Sequence, residues 1–180
     1  MLQAIFFDFD GVVLDTAEIK TAAFGELYRD HGPEMEARVR DYHVRHGGVS
    51  RFVKIRLFER EFLGRPADPE HEALVIQRFA DLVLDKVLAA PPLPGAMDCL
   101  ERLVGRLPLF VVSGTPDDEL RQICAQRDLA RFFIETHGAP RRKTEILESV
   151  CTRHGLTPAR CVMVGDATTD RDAAQALGLG

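Results

Sequence analysis

The 180-residue sequence predicts an α/β fold in which a doubly wound, parallel-sheet core carries an inserted α-helical cap. Three observations predict it. A short apolar run near the start, Ala4 to Phe9, ends in carboxylates and a glycine. The stretch from about Thr16 to Ala90 then offers helical periodicity but no convincing strand. From Pro91 onward, strand-like runs alternate with helical segments, the pattern of parallel strands joined by crossover helices.

Taken in order, AIFFDFD is a buried strand that breaks at Gly11, with its carboxylates at the exit. In the helical block, the segment from Pro69 to Leu88 places Ile76, Phe79, Val83 and Val87 at helical spacing. Ala89-Ala90-Pro91-Pro92-Leu93-Pro94-Gly95 is a stiff, helix-breaking link back to the core. After it, the pattern gives a helix from Ala96 to Val104, a strand from Pro108 to Val112 and a helix from Asp117 to Gln126. A short strand near Phe132 to Glu135, a helix from Thr144 to His154, a strand from Arg160 to Val164 and a helix from Asp170 complete the series. The simplest assembly joins residues 1–15 and 91–180 into one core and leaves 16–90 as the cap.

Bulk composition narrows the function. Hydrophobic residues make up 46% of the chain, enough for a substantial core, which argues against disorder. With 23 Lys and Arg against 28 Asp and Glu, the net charge of -5 gives no global attraction for nucleic acid or anionic lipid, so neither partner is expected. There is no apolar window of membrane-spanning length, and the start runs from apolar residues straight into carboxylates, unlike a signal peptide, so a cytoplasmic monomer or homodimer is expected. Cys99, Cys124, Cys151 and Cys161 form no CxxC pair and read as buried free thiols.

Three predicted strands end in polar clusters: Asp8-Phe9-Asp10-Gly11, Ser113-Gly114-Thr115 and Gly165-Asp166-Ala167-Thr168-Thr169-Asp170. Ligands of open parallel sheets bind outside the carboxyl ends of the strands, so these clusters should meet in one crevice. Four carboxylates there repel one another and resist ionisation unless a cation neutralises them. Oxygen donors without His or Cys favour Mg²⁺ over zinc, and Mg²⁺ commonly recruits a substrate phosphate to complete its octahedron. Ser113 offers a hydroxyl, Gly114 lets backbone N–H groups approach, and Lys143 brings a positive charge for phosphoryl oxygens, which together suit phosphoryl transfer. Arg142 is the other cation available beside Lys143, and Asp170 also suits a helix cap.

Read in this order, DFDGVV, VVSGTP, GAPRRKTEIL and VMVGDATTD resemble the four motifs of the haloacid dehalogenase superfamily, in its phosphoglycolate phosphatase and β-phosphoglucomutase-like subgroup. The resemblance implies a Rossmann-like core with a helical cap and an Mg²⁺-dependent phosphatase acting on a small, anionic phosphorylated metabolite. It implies Asp8 as the nucleophile that forms an aspartyl-phosphate, and Asp10 as acid and then base. Ser113, Gly114 and Lys143 would hold the phosphoryl group. Asp8, Asp166 and the Asp10 backbone carbonyl would bind Mg²⁺, with Asp170 supporting them.

Asp15 and Thr16 would form the cap hinge, and the cap's basic stretch from Arg38 to Arg56 supplies Arg51 and Lys54 as candidates to meet an anionic substrate. That stretch suits an exposed helix face equally well, and His43 and His46 read as solvated or packed within the cap. DGVVLDT and HGGVSR resemble β-phosphoglucomutase in particular, which keeps a phosphosugar mutase as an alternative; Gly165, where the mutase resemblance implies an acid, favours the hydrolase. A receiver-like phosphoacceptor is the alternative from another class. The resemblance further leads one to expect another strand beyond Leu177-Gly178-Leu179-Gly180.

Overall fold

A computed structural model describes residues 1–180. Its sheet has four parallel strands in the order β3-β2-β1-β4, where β1 is Ala4–Phe7, β2 is Leu109–Pro116, β3 is Glu135–Ala139 and β4 is Cys161–Val164. The chain steps outward from β1 through β2 to β3, then returns to the other side of β1. That reversal leaves the β1/β4 boundary as the topological switch point, where such sheets open a crevice.

Strand alternation sends side chains to two separate apolar layers. Ile5, Phe7, Leu109 and Val111 face one layer, together with Leu120, Ile123 and Cys124 of helix α6 (Asp117–Gln126). Ala4, Phe6, Phe110 and Val112 face the other, against Ile146, Leu147 and Val150 of α7 (Lys143–His154) and Ala173 and Ala174 of α8 (Thr168–Leu177). Helix α5 (Ala96–Leu103) buries Leu100 in the first layer. Crossover helices thus cover both faces, as a fully parallel sheet requires.

Between β1 and α5 the chain forms only helices: α1 (Ala17–Tyr28) with a 3-10 turn after it (Arg29–His31), α2 (Pro33–Arg45), α3 (Arg51–Leu57) running into a π-helical turn (Phe58–Phe62), and α4 (Pro69–Ala89). The longest, α4, begins where the sequence dictates. Asp68 caps it by accepting from the Glu70 and His71 amides at 3.1 and 3.0 Å, and Pro69 occupies the first turn, where its missing N–H costs nothing. Phe24, Phe58, Phe79, Val83 and Val87 pack in the same apolar layer as Phe7 and Phe9, so the insertion is anchored to the sheet by a continuous core. Its two crossings run side by side: the Asp15 amide donates to Pro91 O at 3.0 Å and the Leu93 amide to Val13 O at 3.1 Å.

Three expectations need correction. No strand spans Phe132 to Glu135: Ala130–Phe132 is a 3-10 turn that drives Phe132 into the core, and the strand starts at Glu135. Because β3 is an edge strand of polar and small residues, it lacks the apolar run that marks its neighbours. Strand β2 continues past Val112 to Pro116, with a bulge that places Ser113-Gly114-Thr115 inside the strand. Finally, Cys99 is exposed on α5, next to the buried Leu100, while Cys124, Cys151 and Cys161 are buried free thiols.

Candidate active site

The sheet register brings the polar clusters to one end. Phe7 stands opposite Val111 on one side and Val164 on the other, so Asp8, Ser113 and Asp166 all lie just beyond the last paired rung. Asp8 is tied there by its amide, which donates to Val164 O at 2.8 Å. The chain then turns at Gly11, whose φ of 74° and close approach to Asp166, 2.2 Å from an added Cβ to Oδ2, leave no place for a side chain. The β2 bulge re-aims Ser113 and Thr115, as bulges beside functional sites do.

Two linked charge clusters result. In the first, the Asp8 carboxylate accepts from the Phe9 amide at 2.7 Å through Oδ1 and pairs with Lys143 Nζ at 2.7 Å through Oδ2. Lys143 also donates to Asp170 at 2.5 Å, and Asp170 in turn accepts from the Ala167 amide at 3.1 Å. Carboxylate oxygens of Asp8, Asp166 and Asp170 lie within 4.8 Å of one another. Burial pushes the Asp8 carboxyl up to about 7; Asp170 and Asp10 add repulsion, and Lys143 offsets only part of it. Partial desolvation, with repulsion from Asp170 and Asp10, raises the exposed Asp166, whereas for Lys143 the adjoining Asp8 and Asp170 charges outweigh burial and keep it an ammonium ion. Three carboxylates around one lysine carry surplus negative charge, and the donors are all oxygen; both features fit a hard divalent cation.

In the second cluster, the Asp10 carboxylate accepts from Thr16 Oγ1 at 2.6 Å, Lys20 Nζ at 2.5 Å and Thr115 Oγ1 at 2.7 Å. Burial opposes its ionisation, but the Lys20 charge and these donors prevail and hold it well below the ordinary carboxylate range. Lys20 also donates to Thr115 Oγ1 at 2.7 Å.

The helical insertion closes over both. Asp8, Asp10, Lys20, His43, Arg51, Lys54, Thr115 and Asp166 line a cavity of about 90 Å³, walled by Phe24, Phe79, Gly48 and Gly114. The seal is backbone on backbone: an added Cβ on Gly114 would lie 2.5 Å from the Gly48 carbonyl oxygen. The Thr169 hydroxyl also donates to Gly47 O at 3.3 Å. Ser113, Gly114 and Lys143 line an adjoining groove of about 370 Å³ that shares the Gly48-Val49 wall.

Of the basic stretch, only Arg51 and Lys54 reach this cavity. Arg51 forms a bidentate pair with Glu119 of α6 at 2.7 and 2.6 Å and lies over the Phe79 ring. Lys54 is 1% exposed and its Nζ lies in hydrogen-bond contact with His43 Nδ1 at 2.8 Å. Arg38 covers Phe62, Arg45 pairs with Asp41 and Arg56 with Glu72, so that part of the stretch is an ordinary helix surface. His46 stacks on Tyr42, within the cap as expected, whereas His43 faces the cavity.

Sequence reasoning missed Lys20 and Glu119, gave Thr115 a place in the crevice but no role, and read His43 as solvated or packed within the cap where it lines the cavity. A signal existed for Lys20: it falls one helical turn after Thr16 and therefore on the same side of the chain. Glu119 carried none, because its partner is far away in sequence.

Curated relatives include a phosphoglycolate phosphatase from Synechococcus elongatus, 28% identical over 99% of this chain and 81% of its own length. A second, from Aliivibrio fischeri, is 26% identical over 98% of this chain and 81% of its own. Among solved structures, a β-phosphoglucomutase from Clostridium difficile superposes with a TM-score of 0.80 at 19% identity, covering 99% of this chain and 82% of that one. A predicted phosphoglycolate phosphatase from Haemophilus somnus gives 0.77 at 18%, with 99% and 83% covered. At these identities the superpositions speak for the fold. A family model described as haloacid dehalogenase-like hydrolase matches residues 2–178, and the chain belongs to that family.

Proposed function

We propose that this hydrolase is a phosphatase that cleaves a small phosphomonoester through an aspartyl-phosphate on Asp8, with Mg²⁺ as cofactor. The carrying observation is the pair of carboxylates, Asp8 buried and Asp10 half-buried, held on separate hydrogen-bond networks in one cavity. Two neighbouring carboxylates with different partners can take different chemical roles.

In the first step Asp10 must enter carrying a proton, which the Lys20 charge opposes in the ligand-free site; an Asp8 oxygen attacks phosphorus and the ester oxygen leaves with that proton. In the second, Asp10 removes a proton from water, whose oxygen displaces phosphate from Asp8 and returns Asp10 to its protonated form. The ionised, triply hydrogen-bonded Asp10 described above suits this base step. Lys143, the Ser113 hydroxyl and backbone amides near Gly114 hold the phosphoryl oxygens. Asp8, Asp166 and the Asp10 backbone carbonyl would hold Mg²⁺, with Asp170 behind them, and the ion would neutralise charge on the phosphoryl group and the acidic cluster.

One observation supports a hydrolase over a sugar phosphomutase. An added Cβ on Gly165 would lie 2.3 Å from Asp170 Cβ, so the acid implied by the mutase resemblance has no room. The names of the curated relatives, both phosphoglycolate phosphatases, agree with this class. The test is phosphate release from phosphoglycolate, sugar phosphates and nucleotides with Mg²⁺. Asp8→Asn should abolish it, and turnover persisting in that variant overturns the mechanism.

A further inference from the structure

We infer that inorganic phosphate enters and leaves the Asp8 site through the groove lined by Ser113 and Lys143 while the cap stays shut, so that only the ester and its alcohol product need the cap to open. This inference rests on the phosphatase reading above.

Two spaces meet at Asp8. Asp8 and Asp10 line the cavity under the cap, whereas Ser113 and Lys143 line the groove of about 370 Å³ and not the cavity. Gly48 and Gly114 line both, and their backbone contact is the partition. Lys143 Nζ lies 2.7 Å from Asp8 Oδ2, so one side chain separates the nucleophile from the groove. At the groove's rim, Val53, Arg141 and Arg142 are exposed. Passage under the cap requires backbone atoms of Gly48 and Gly114 to part, whereas passage through the groove requires only the flexible end of Lys143 to swing.

The charge of the groove suits a small anion. Arg141 donates to the Glu145 carbonyl oxygen at 3.1 Å and pairs with no carboxylate, while Arg142 pairs with Glu145 and Asp172 with Arg171. Helix α7 begins at Lys143 and turns the positive end of its dipole to the same space, which Thr144 of its first turn lines. An uncompensated cation at the rim of a cleft draws anions toward it.

A locked cap separates the two routes. An added Cβ on Gly47 would lie 3.4 Å from Ala167 Cβ, close to the roughly 3.5–4.5 Å between the Cβ atoms of a disulfide. Gly47→Cys with Ala167→Cys, oxidised by glutathione disulfide, should therefore tie the cap loop to the core; Cys99→Ser removes the exposed native thiol. The reaction read is oxygen-isotope exchange between labelled inorganic phosphate and water in the presence of Mg²⁺. An Asp8 oxygen displaces a phosphate hydroxyl, which leaves as water with the Asp10 proton, and solvent water then displaces phosphate from Asp8 and returns the proton to Asp10.

The oxidised protein should lose ester hydrolysis and keep exchanging phosphate at the rate of its reduced form, and dithiothreitol should restore hydrolysis. Exchange that disappears together with hydrolysis overturns the inference, and so does hydrolysis that survives oxidation, because the ester would then also pass a shut cap. If the reduced protein hydrolyses esters without measurable exchange, titration calorimetry with inorganic phosphate decides: equal binding by the oxidised and reduced forms upholds the groove, and loss of binding on oxidation overturns it. Should the locked protein fail to fold, Val53→Trp at the exposed rim obstructs the groove instead. It should slow exchange while the first-turnover burst of alcohol persists, and unchanged exchange overturns the inference. A wild type that neither hydrolyses any phosphomonoester nor exchanges phosphate overturns the phosphatase reading itself.

Discussion

Lys20 donates to the Asp10 carboxylate at 2.5 Å and to the Thr115 hydroxyl at 2.7 Å, so one cap side chain holds the proposed acid–base residue against the core. Helix α1 starts immediately after Thr16, which bonds the same carboxylate, and movement of the cap is therefore coupled to the aim of Asp10.

Replacing Lys20 by Met should slow the base step more than the first. Positioned proton transfer contributes about 10²- to 10⁴-fold, and loss of the lysine should cost roughly 100-fold in phosphate release. Rapid-quench kinetics should show a burst of alcohol product followed by slow phosphate release. Equal slowing of both products would count against a role for Lys20 in the second step.

Lys143 is the only side-chain cation on Asp8 and Asp170, both 2% exposed. Lys143→Met leaves two buried carboxylates facing each other, and breaking a buried pair this way costs about 3–5 kcal/mol. Denaturant unfolding at neutral pH without metal should register that loss. Adding Asp170→Asn should recover part of it by removing one of the stranded charges; no recovery would mean that Lys143 acts through packing.

The legibility of these features follows their physics. Strand-end carboxylates and the alternation of strand and helix are local patterns, so Asp8, Ser113 and Asp166 could be placed at one sheet end before any coordinates. The Arg51–Glu119 and Lys54–His43 pairs depend on how the insertion docks, which periodicity does not encode. Strand β3 was misplaced for a related reason: at the sheet edge, Glu135 and His137 take polar partners in one another, in His154 and in Arg153, and no apolar run announces the strand. The basic stretch looked uniform, yet it splits into two cavity residues and a solvated helix face.

A pH dependence follows from Lys54. Burial pushes its amine from the ordinary 10.5 down to about 7; Lys20 adds repulsion and Asp10 offsets part of it, while the His43 it faces is itself held down to about 3 by burial and the Lys54 charge. Below pH 7 both folded and unfolded chains carry the charge, and the folded state bears the whole penalty. Between 7 and 10.5 the unfolded chain binds the extra proton, so the penalty is relieved as pH rises. Lys54→Met should therefore stabilise the ligand-free protein most at pH 6 and least near pH 10, with a ceiling on the order of 4 kcal/mol. Paired thermal melts across that range decide it, and a constant difference between the two proteins would refute the assignment.

Divalent cation binding should appear as stability. Mg²⁺ at about 100 times its dissociation constant adds about 2.7 kcal/mol to the folded state, or roughly 5–10 °C in a chain of this size. Asp166 is exposed and makes no ion pair, so Asp166→Asn should leave the metal-free melting temperature nearly unchanged and remove the Mg²⁺ increment. An undiminished increment in the variant would place the ion elsewhere.

Closure of the cap can be tested with one methyl group. At Gly114, an added Cβ would meet the Gly48 carbonyl oxygen at 2.5 Å, and a backbone atom cannot swing aside as a side-chain end can. At Gly47, an added Cβ would meet only Ala167 Cβ, at 3.4 Å, which is ordinary contact. Gly114→Ala should therefore hold the insertion off the core, separate Lys20 from Asp10 and lower kcat/KM by about 100-fold, the effect expected of a displacement near 1 Å at a reacting centre. Gly47→Ala, on the cap loop that faces Gly114, should stay within a few-fold of wild type. Because the clash is between backbone atoms at the seam and removes no side chain from the apolar layer shared by Phe9, Phe24 and Phe79, the melting temperature of Gly114→Ala should fall less than its activity. Equal effects from the two alanines would mean that the seam does not control closure.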